Sequence, residues 1–414
     1  MRNIVIIGGG ASGLMAACAA GGSGAKVTVI EKNSRPARKV MITGKGRCNV
    51  TNNCDMQTLI KNTVRNGRFL YSAFSCFDSE DTVRFFESRG VPLKTERGNR
   101  VFPVSDKAVD IVDALAGAAL KNAKIITATA KAIICENGSV AGVALDSGEV
   151  LSANAVIIAT GGKSYPLTGS TGDGYALATA LGHTVIEPLP SLIRLECLQG
   201  FCTALSGLTL KNVKLSLFKA GGKKPVYSEL GEMLFTHTGI SGPLTLSASA
   251  YIDGEPGKYF ALIDLKPALD NATLDNRLLR DFSAALNRDL INSLDRLLPK
   301  AIIPVIIRNA GTDPHIKVNQ ISREDREKLI NSIKQLRLDI TDTGPISEAV
   351  ITRGGINTKE INPADMSSKL IGNLYFAGEV IDVDALTGGF NLQIAFSTGF
   401  LAGKSAAQNM ESGK

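Results

Sequence analysis

The chain has 414 residues, 44% hydrophobic and 21% charged, with a formal net charge of +7. Such proportions exclude a disordered or fibrous chain, and the length allows roughly two to four domains. An excess of 46 basic over 39 acidic residues is too thin for the dense basic face of a nucleic-acid binder, and no aromatic-interleaved basic run stands out, so no nucleic-acid partner is expected. No apolar run reaches the roughly 18–20 residues that span a bilayer, so no membrane partner is expected either. Seven cysteines are scattered without pairing rhythm, which fits a reducing cytoplasm. Nothing in the sequence sets an oligomeric state.

Asn3 to Ile7 reads as a short buried strand, because Ile4, Val5, Ile6 and Ile7 are continuous and β-branched. Glycines follow at 8, 9, 10 and 13, then an Ala-rich helix to about Ala20. Arg2 and the small residues 16–20 mimic a signal peptide, but the glycines interrupt the apolar stretch after four aliphatics. Lys26 to Ile30 reads as a second strand ending at Glu31. Strand, glycine turn, helix and strand within about thirty residues begin a parallel α/β sheet.

Residues 32–53 read as a loop carrying Lys32, Arg35, Arg38, Lys39, Lys45 and Arg47 and no acid. Helices are expected near 78–89 and 106–121, and short strands between 123 and 159, with Asn137-Gly138 and Ser147-Gly148 as turns. Ala155 to Ala159 is a further buried strand, ended by Thr160-Gly161-Gly162. The texture changes near Pro188-Leu189-Pro190: 191–270 reads as β-rich and 271–335 as helical, with Leu279, Phe282 and Leu286 at helical spacing. From about 345 the α/β texture returns, with a strand at 374–377, then Gly378, and a last helix opened by Gly388-Gly389. The expected domains are 1–190 and 345–414 as one unit, interrupted by an insertion at 191–344.

Gly8, Gly10 and Gly13, with Ala11 and Ser12 between them, form a G-x-G-x-x-G turn between strand and helix, and Glu31 ends the next strand. The first glycine permits the tight turn, the second lets backbone approach a pyrophosphate, and the third lets helix and strand pack. The helix N-terminus offers free N–H groups to that anion, and Glu31 can accept from ribose hydroxyls. Thr160, Gly161 and Gly162 mark a second close approach, and Gly378-Glu379 with Gly388-Gly389 a third. Three such points spread over the chain suit a long cofactor, and FAD fits. A helix beginning at Gly389 would aim its positive end at a reduced flavin ring. The run Thr43-Gly44-Lys45-Gly46-Arg47-Cys48-Asn49-Val50-Thr51-Asn52 can wrap a pyrophosphate and reach a ring with backbone N–H groups.

These stretches, together with residues 159–175, 234–243, 349–356 and 374–393, resemble a family of bacterial flavoproteins. That family is typed as NAD(P)/FAD-dependent oxidoreductases and includes aminoacetone oxidase and 3-dehydro-bile acid delta(4,6)-reductase. The resemblance covers essentially the whole chain. It implies a Rossmann-like FAD-binding domain of the glutathione-reductase type, interrupted by a β-barrel-like plus helical insertion. By that resemblance Glu31, Lys32, Arg38, Lys39, Arg47, Asn49, Ala130, Gly161, Glu379, Asn391 and Leu392 surround FAD.

Candidate proton donors are Tyr165, just after Gly161-Gly162, and His237; packing and a hinge hydrogen bond are their plainer readings. Cys48 reads as a small residue packed near the ring. Cys48 and Cys54 have five intervening residues, against four in dithiol flavoenzymes, so a redox disulfide there is the minor reading. His183, His237 and His315 are too dispersed for a metal site. The expected activity is FAD-dependent reduction of a small molecule at an activated C=C bond, with NAD(P)H as transient donor. An oxidase of amines or amino ketones using O₂, and a flavoprotein that binds or modifies nucleic acid, remain the alternatives.

Overall fold

The computed structural model describes residues 1–408. They divide into two compact units, Met1–Ser191 with Pro345 onward, and Leu192–Gly344.

The first unit is built on a five-stranded parallel sheet, in the order Leu374–Phe376, Ala155–Ile158, Asn3–Ile7, Lys26–Glu31, Ala123–Thr127. Ile4 pairs with Ala155 on one side and Val27 on the other, and Val156 pairs with Leu374. Every residue of Ala155–Ile158 is buried, as expected of a parallel sheet covered on both faces. The chain runs outward from the first strand in one direction, then returns to build the other half. The strand order therefore reverses between Asn3–Ile7 and Ala155–Ile158, and ligands bind such sheets in that crevice, beyond the carboxyl ends of the strands.

One face of the sheet carries the first helix, Ala11–Gly22, and against it the last, Phe390–Gln408. Their approach is set by small residues. A Cβ on Gly399 would sit 2.3 Å from the Ser12 carbonyl oxygen, and one on Gly403 2.2 Å from that of Ala16. No side chain larger than hydrogen fits at either position.

The stretch 32–53, expected as loop, contains a short helix, Arg38–Ile42, and a two-residue strand, Thr51–Asn52. That strand exists because Thr51 pairs with Val101, a partner that local sequence cannot reveal. The helices expected near 78–89 and 106–121 are Ser79–Glu87 and Ala108–Leu120.

The second unit contains a closed six-stranded barrel, ordered Leu195–Cys197, Gly239–Ser241, Tyr227–Phe235, Thr209–Lys219, Tyr259–Asp264, Leu336–Thr343. The alternation at 213–217 is real: Val213, Leu215 and Leu217 are buried and Lys214 is exposed. Three helices, Asn271–Ser283, Ile303–Ala310 and Arg323–Lys334, precede the closing strand. Ser322 and Asp325 form a capping box that starts the third. The expected stripe Leu279, Phe282, Leu286 is displaced. The buried face is Leu274, Leu278 and Phe282, whereas Leu279 is 44% exposed and Leu286, beyond the helix end, 52%. A helix and its frayed continuation share the same spacing in sequence.

His183 lies buried in the first unit, edge-on to Phe376 at 4.8 Å. Its Nε2 is 2.9 Å from the Ser368 hydroxyl and its Nδ1 3.4 Å from Glu360 Oε2. Burial lowers its pKa below the usual 6.5, although Glu360 opposes the shift. The unfolded chain therefore takes up the proton first as pH falls, so this contribution to stability is present above about pH 6.5 and declines below it. The expected result is a Tm that drops below that pH in the parent and drops less in His183→Gln. Equal slopes in thermal melts from pH 5 to 8 would dismiss the assignment.

Candidate cofactor site

The glycine turn sits at the carboxyl end of the first strand, inside the crevice where strand order reverses. Gly8 has φ +106°, and a Cβ there would lie 2.5 Å from the Ala159 carbonyl oxygen. On Gly13 a Cβ would fall only 1.8 Å from the Gly8 carbonyl oxygen. Those two glycines close the turn upon itself. Gly10 differs: a Cβ there meets nothing within 4 Å. The backbone at Gly10 thus faces open space, directly before a twelve-residue helix that no side chain caps. Such a helix start presents donors and partial positive charge to an anion.

Glu31 is buried, at 8% exposure. Its Oε2 accepts from the Gly9 N–H at 2.9 Å, and its Oε1 from the backbone and side-chain N–H groups of Asn33 at 2.8 and 2.7 Å. The carboxylate therefore holds the turn together, and it keeps acceptor capacity for a hydroxyl.

Four cations of the 32–47 loop are paired with acids from elsewhere. Lys32 pairs with Asp173 at 2.6 Å, Arg35 with Asp113 at 2.9 Å, and Lys39 with Glu379 at 2.7 Å. Arg47 is held by Glu96 and Asp106 and lies 4.2 Å over the Phe102 ring. These four cations are thus paired with carboxylates, and Arg47 with two of them. Arg38 donates to the Asn33 side-chain oxygen at 3.0 Å.

Glu379 is the hub of this wall. It also accepts from the Ser164 hydroxyl at 2.9 Å and from the Thr352 N–H at 2.8 Å. Gly161 has φ +73°, and Gly162 is pressed against Thr352 and Glu379. Gly378 abuts Ser12, tying the strand end to the first helix. Ser164 and Thr352 lie in stretches that resemble the family, but neither was singled out as a site residue, because each acts as the partner of a residue far away in the chain.

At the third approach, Gly389 packs on the Thr51 carbonyl and the last helix begins at Phe390. Asn52 donates to the Gly388 carbonyl oxygen at 3.0 Å, which fixes the 43–52 loop beside that helix start. Asn391 is engaged internally: its amide exchanges hydrogen bonds with the Ala385 N–H and carbonyl at 3.0 and 2.8 Å. Leu392 packs half-buried against the core, and Phe376, Phe390 and Phe396 belong to that core. Gly46 is exposed, and Ala130 opens the strand Ala130–Glu136.

Of the seven buried side-chain polar atoms that lack hydrogen-bond partners among the described residues, three lie on segments of this wall: Asn49 Oδ1, Thr160 Oγ1 and Tyr175 Oη. Leaving such an atom unpaired costs about 1–3 kcal/mol. Burial, with Glu379 and Asp382 nearby, pushes the Tyr175 phenol up. Asn49 and Thr160 were read from the sequence as cofactor residues; Tyr175 was not. The unpaired atoms and the open backbone at Gly10 fit a polar group bound along this wall.

Cys48 is fully buried with φ +60°, and burial pushes its thiol up to about 12. Cys54 is raised to about 11, and both are free. Tyr165 is half-buried with φ +50°, its N–H on the Ser347 carbonyl oxygen at 3.3 Å. His237 is exposed in the second unit, between two barrel strands, and its carbonyl accepts from Thr203. Among the described residues no group of three or more His, Cys, Asp or Glu could hold a metal ion. No helix among them is long and apolar enough to cross a membrane.

The barrel has a second surface of note. Phe218 and Phe260, paired across strands, stack at 5.2 Å, with Arg337 4.0 Å over Phe260. Three strands supply these residues, so the sequence shows no such run.

Sheet order, glycine turn and buried acid define a Rossmann-type dinucleotide-binding protein. The chain belongs to the HI0933-like Rossmann-domain family, which matches residues 2–405; this is the flavoprotein family that its motifs resemble. It is 30% identical over 416 residues to a 3-dehydro-bile acid delta(4,6)-reductase of Clostridium scindens, covering 99% of this chain and all of that one. It is also 30% identical over 395 residues to a ribosomal RNA dihydrouridine synthase of Escherichia coli, covering 95% of each. The fold is shared with a 3-ketosteroid-delta4-(5alpha)-dehydrogenase of Rhodococcus jostii, at TM-score 0.52 and 16% identity over 98% of this chain and 97% of that one.

Two glycine substitutions separate architecture from binding. Gly13→Ala is expected to abolish soluble folded protein. Gly10→Ala should fold with an unchanged melting curve once stripped of flavin, yet retain at least about tenfold less flavin, since a methyl group there intrudes only on the ligand's space. Undiminished flavin occupancy in Gly10→Ala, read from the visible spectrum, would show that the cofactor lies elsewhere.

Proposed function

We propose that the protein is an FAD-dependent oxidoreductase that saturates a C=C bond conjugated with a carbonyl group, with NAD(P)H as the electron donor. The observation that carries this reading is the uncapped helix behind the open backbone at Gly10, with buried Glu31 and three unpaired buried atoms beside it. Bound FAD would supply hydride chemistry, which no side chain of the protein provides. The chain's own part is to bind and orient. The first-helix N–H groups would take the pyrophosphate, Glu31 a ribose hydroxyl, and Asn49, Thr160 and Tyr175 the remaining polar atoms. The last helix, starting at Phe390, would place its positive end toward negative charge on the ring.

The relatives support the reaction class. Their named activities differ in substrate, yet the delta(4,6) bonds of a 3-dehydro compound and the bond saturated in dihydrouridine are all alkenes conjugated with a carbonyl. In such a reduction charge develops on the carbonyl oxygen, and a donor there lowers the barrier. Tyr165, in the unit that carries the glycine turn, is the proposed donor. Seven free cysteines suit a reducing cytoplasm.

A second reading takes the substrate as a base within RNA. The similarity to the Escherichia coli enzyme favours it, and so does the Phe218–Phe260 face with Arg337 over it, since bases stack on such surfaces. An amine oxidase has no comparable support.

The deciding experiment adds NADH or NADPH to the flavin-loaded protein without oxygen, then offers a 4,6-dien-3-one bile acid or a uridine-containing RNA. Bleaching of the flavin followed by gain of two hydrogens on the acceptor is the expected result, and the acceptor that gains them chooses the substrate. Flavin that stays oxidised with either nucleotide, but is reduced by an amine and reoxidised by O₂, would overturn the reading. Tyr165→Phe should slow the acceptor step about 10²-fold and alter its pH profile, whereas Cys54→Ser should leave turnover intact. The reverse pattern would assign catalysis to the thiols.

A further inference from the structure

Gln393 closes the stretch 374–393 that resembles the family. The structure makes it the centre of a buried polar network. Gln393, Thr51, Thr82 and Ser397 are each 0% exposed. The Gln393 carboxamide oxygen accepts from the Thr51 hydroxyl at 2.6 Å and from the Thr82 hydroxyl at 2.8 Å. Its nitrogen donates to the Phe77 carbonyl oxygen at 3.2 Å and to the Ser397 hydroxyl oxygen at 2.9 Å. Ser397 in turn donates to that same carbonyl at 2.6 Å.

The orientation of this amide is determined. A carbonyl oxygen only accepts, so the end that faces Phe77 must be the nitrogen. Two bonds accepted and two donated use the whole head group. The surroundings are apolar: Phe77 stacks on Phe400 at 4.7 Å and meets Phe85 edge-on, and Phe86 meets Phe396 at 5.7 Å. In such a medium a fully satisfied network rigidifies its members, and a lost partner is costly.

The network bears on one part of the cofactor wall. The Gln393 N–H donates to the Gly389 carbonyl at 3.1 Å, a bond that opens the last helix. Its side chain takes the Thr51 hydroxyl, while the Thr51 carbonyl oxygen packs on Gly389. One residue thus ties the segment 49–52 to the start of that helix. Thr82 bonds the same amide oxygen but belongs to another element, the helix Ser79–Glu87.

We propose that Gln393 is a positioning residue of the flavin site: it holds the segment 49–52 in register with the start of the last helix, and thereby sets the reduction potential of the bound flavin without touching it. This rests on the FAD reading above. The field of a helix N-terminus falls off within its first turn. A slipped segment or a tilted helix start therefore withdraws support from the negative charge of the reduced ring. The Thr51 hydroxyl is the link through which Gln393 acts on the segment.

The test compares Thr51→Val, Thr51→Ser, Thr82→Val and Gln393→Met with the parent, each as the full flavin-loaded chain. The flavin is reduced stepwise without oxygen against a reference dye, so neither NAD(P)H nor an acceptor enters the measurement. At the parent's midpoint the ratio of reduced to oxidised flavin is expected to fall at least about threefold in Thr51→Val and Gln393→Met. Their FAD dissociation constants should rise about tenfold. Thr51→Ser keeps the hydroxyl and should match the parent in both readouts. Thr82→Val should melt at a lower temperature while its flavin keeps the parent's midpoint. Should Gln393→Met misfold, the Thr51 and Thr82 variants decide. Equal shifts in Thr51→Val and Thr82→Val, or a parental midpoint in Thr51→Val, would overturn the proposal. A parent chain that takes up no flavin would instead overturn the FAD reading, and the proposal with it.

Discussion

The structure of the first unit depends on a contact between small residues of the first and last helices. Gly399 and Gly403 meet the Ser12 and Ala16 carbonyls at separations that admit no side chain. Close packing of this kind holds backbones at fixed distance, because neither partner has a flexible group that can yield. It delivers the C-terminal strand and helix to the sheet that the N-terminus began, although nearly the whole chain lies between them. Gly378 against Ser12 is a third point on the same seam. The candidate cofactor wall, with residues from 8–49, 160–175 and 378–392, exists only because that seam closes.

Along that wall, charge is spent on architecture more than on ligand. Lys32, Lys39 and Arg47 each find an acid from a remote segment, and Glu379 gathers Lys39, Ser164 and Thr352. An anion at this site would rest on backbone N–H groups at the helix start, whose direction is fixed by the fold. The partly buried pairs then act as pins that keep the glycine segments in register. Breaking one partner of such a pair leaves an uncompensated charge, which is costly where solvent is excluded.

The insertion reads differently. Its barrel closes because Leu336–Thr343 pairs with Tyr259–Asp264 on one side and Leu195–Cys197 on the other. Closure leaves no open sheet edge. It also places residues of distant strands side by side on the outer face, Phe218 beside Phe260 and Arg337. That grouping does not belong to the Rossmann frame, so it is a property of the inserted unit itself.

The sequence by itself determined the Rossmann start. Continuous β-branched residues at 4–7, glycines at 8, 10 and 13 and the acid at 31 act over about thirty residues, where local sterics dictate the path. It also located the interruption near 190 and the return near 345, because hydrophobic period and turn content change there. Tertiary structure decided what depended on distant partners. The strand Thr51–Asn52 needed Val101, and the loop cations needed Asp173, Glu379, Glu96 and Asp106. The buried stripe of Asn271–Ser283 shifted to Leu278 because the packing surface, not the spacing, selects which apolar residues face inward. Tyr175, Ser164 and Thr352 entered the site unannounced, since a lone hydroxyl carries no periodicity and gains its meaning only from what the fold sets beside it.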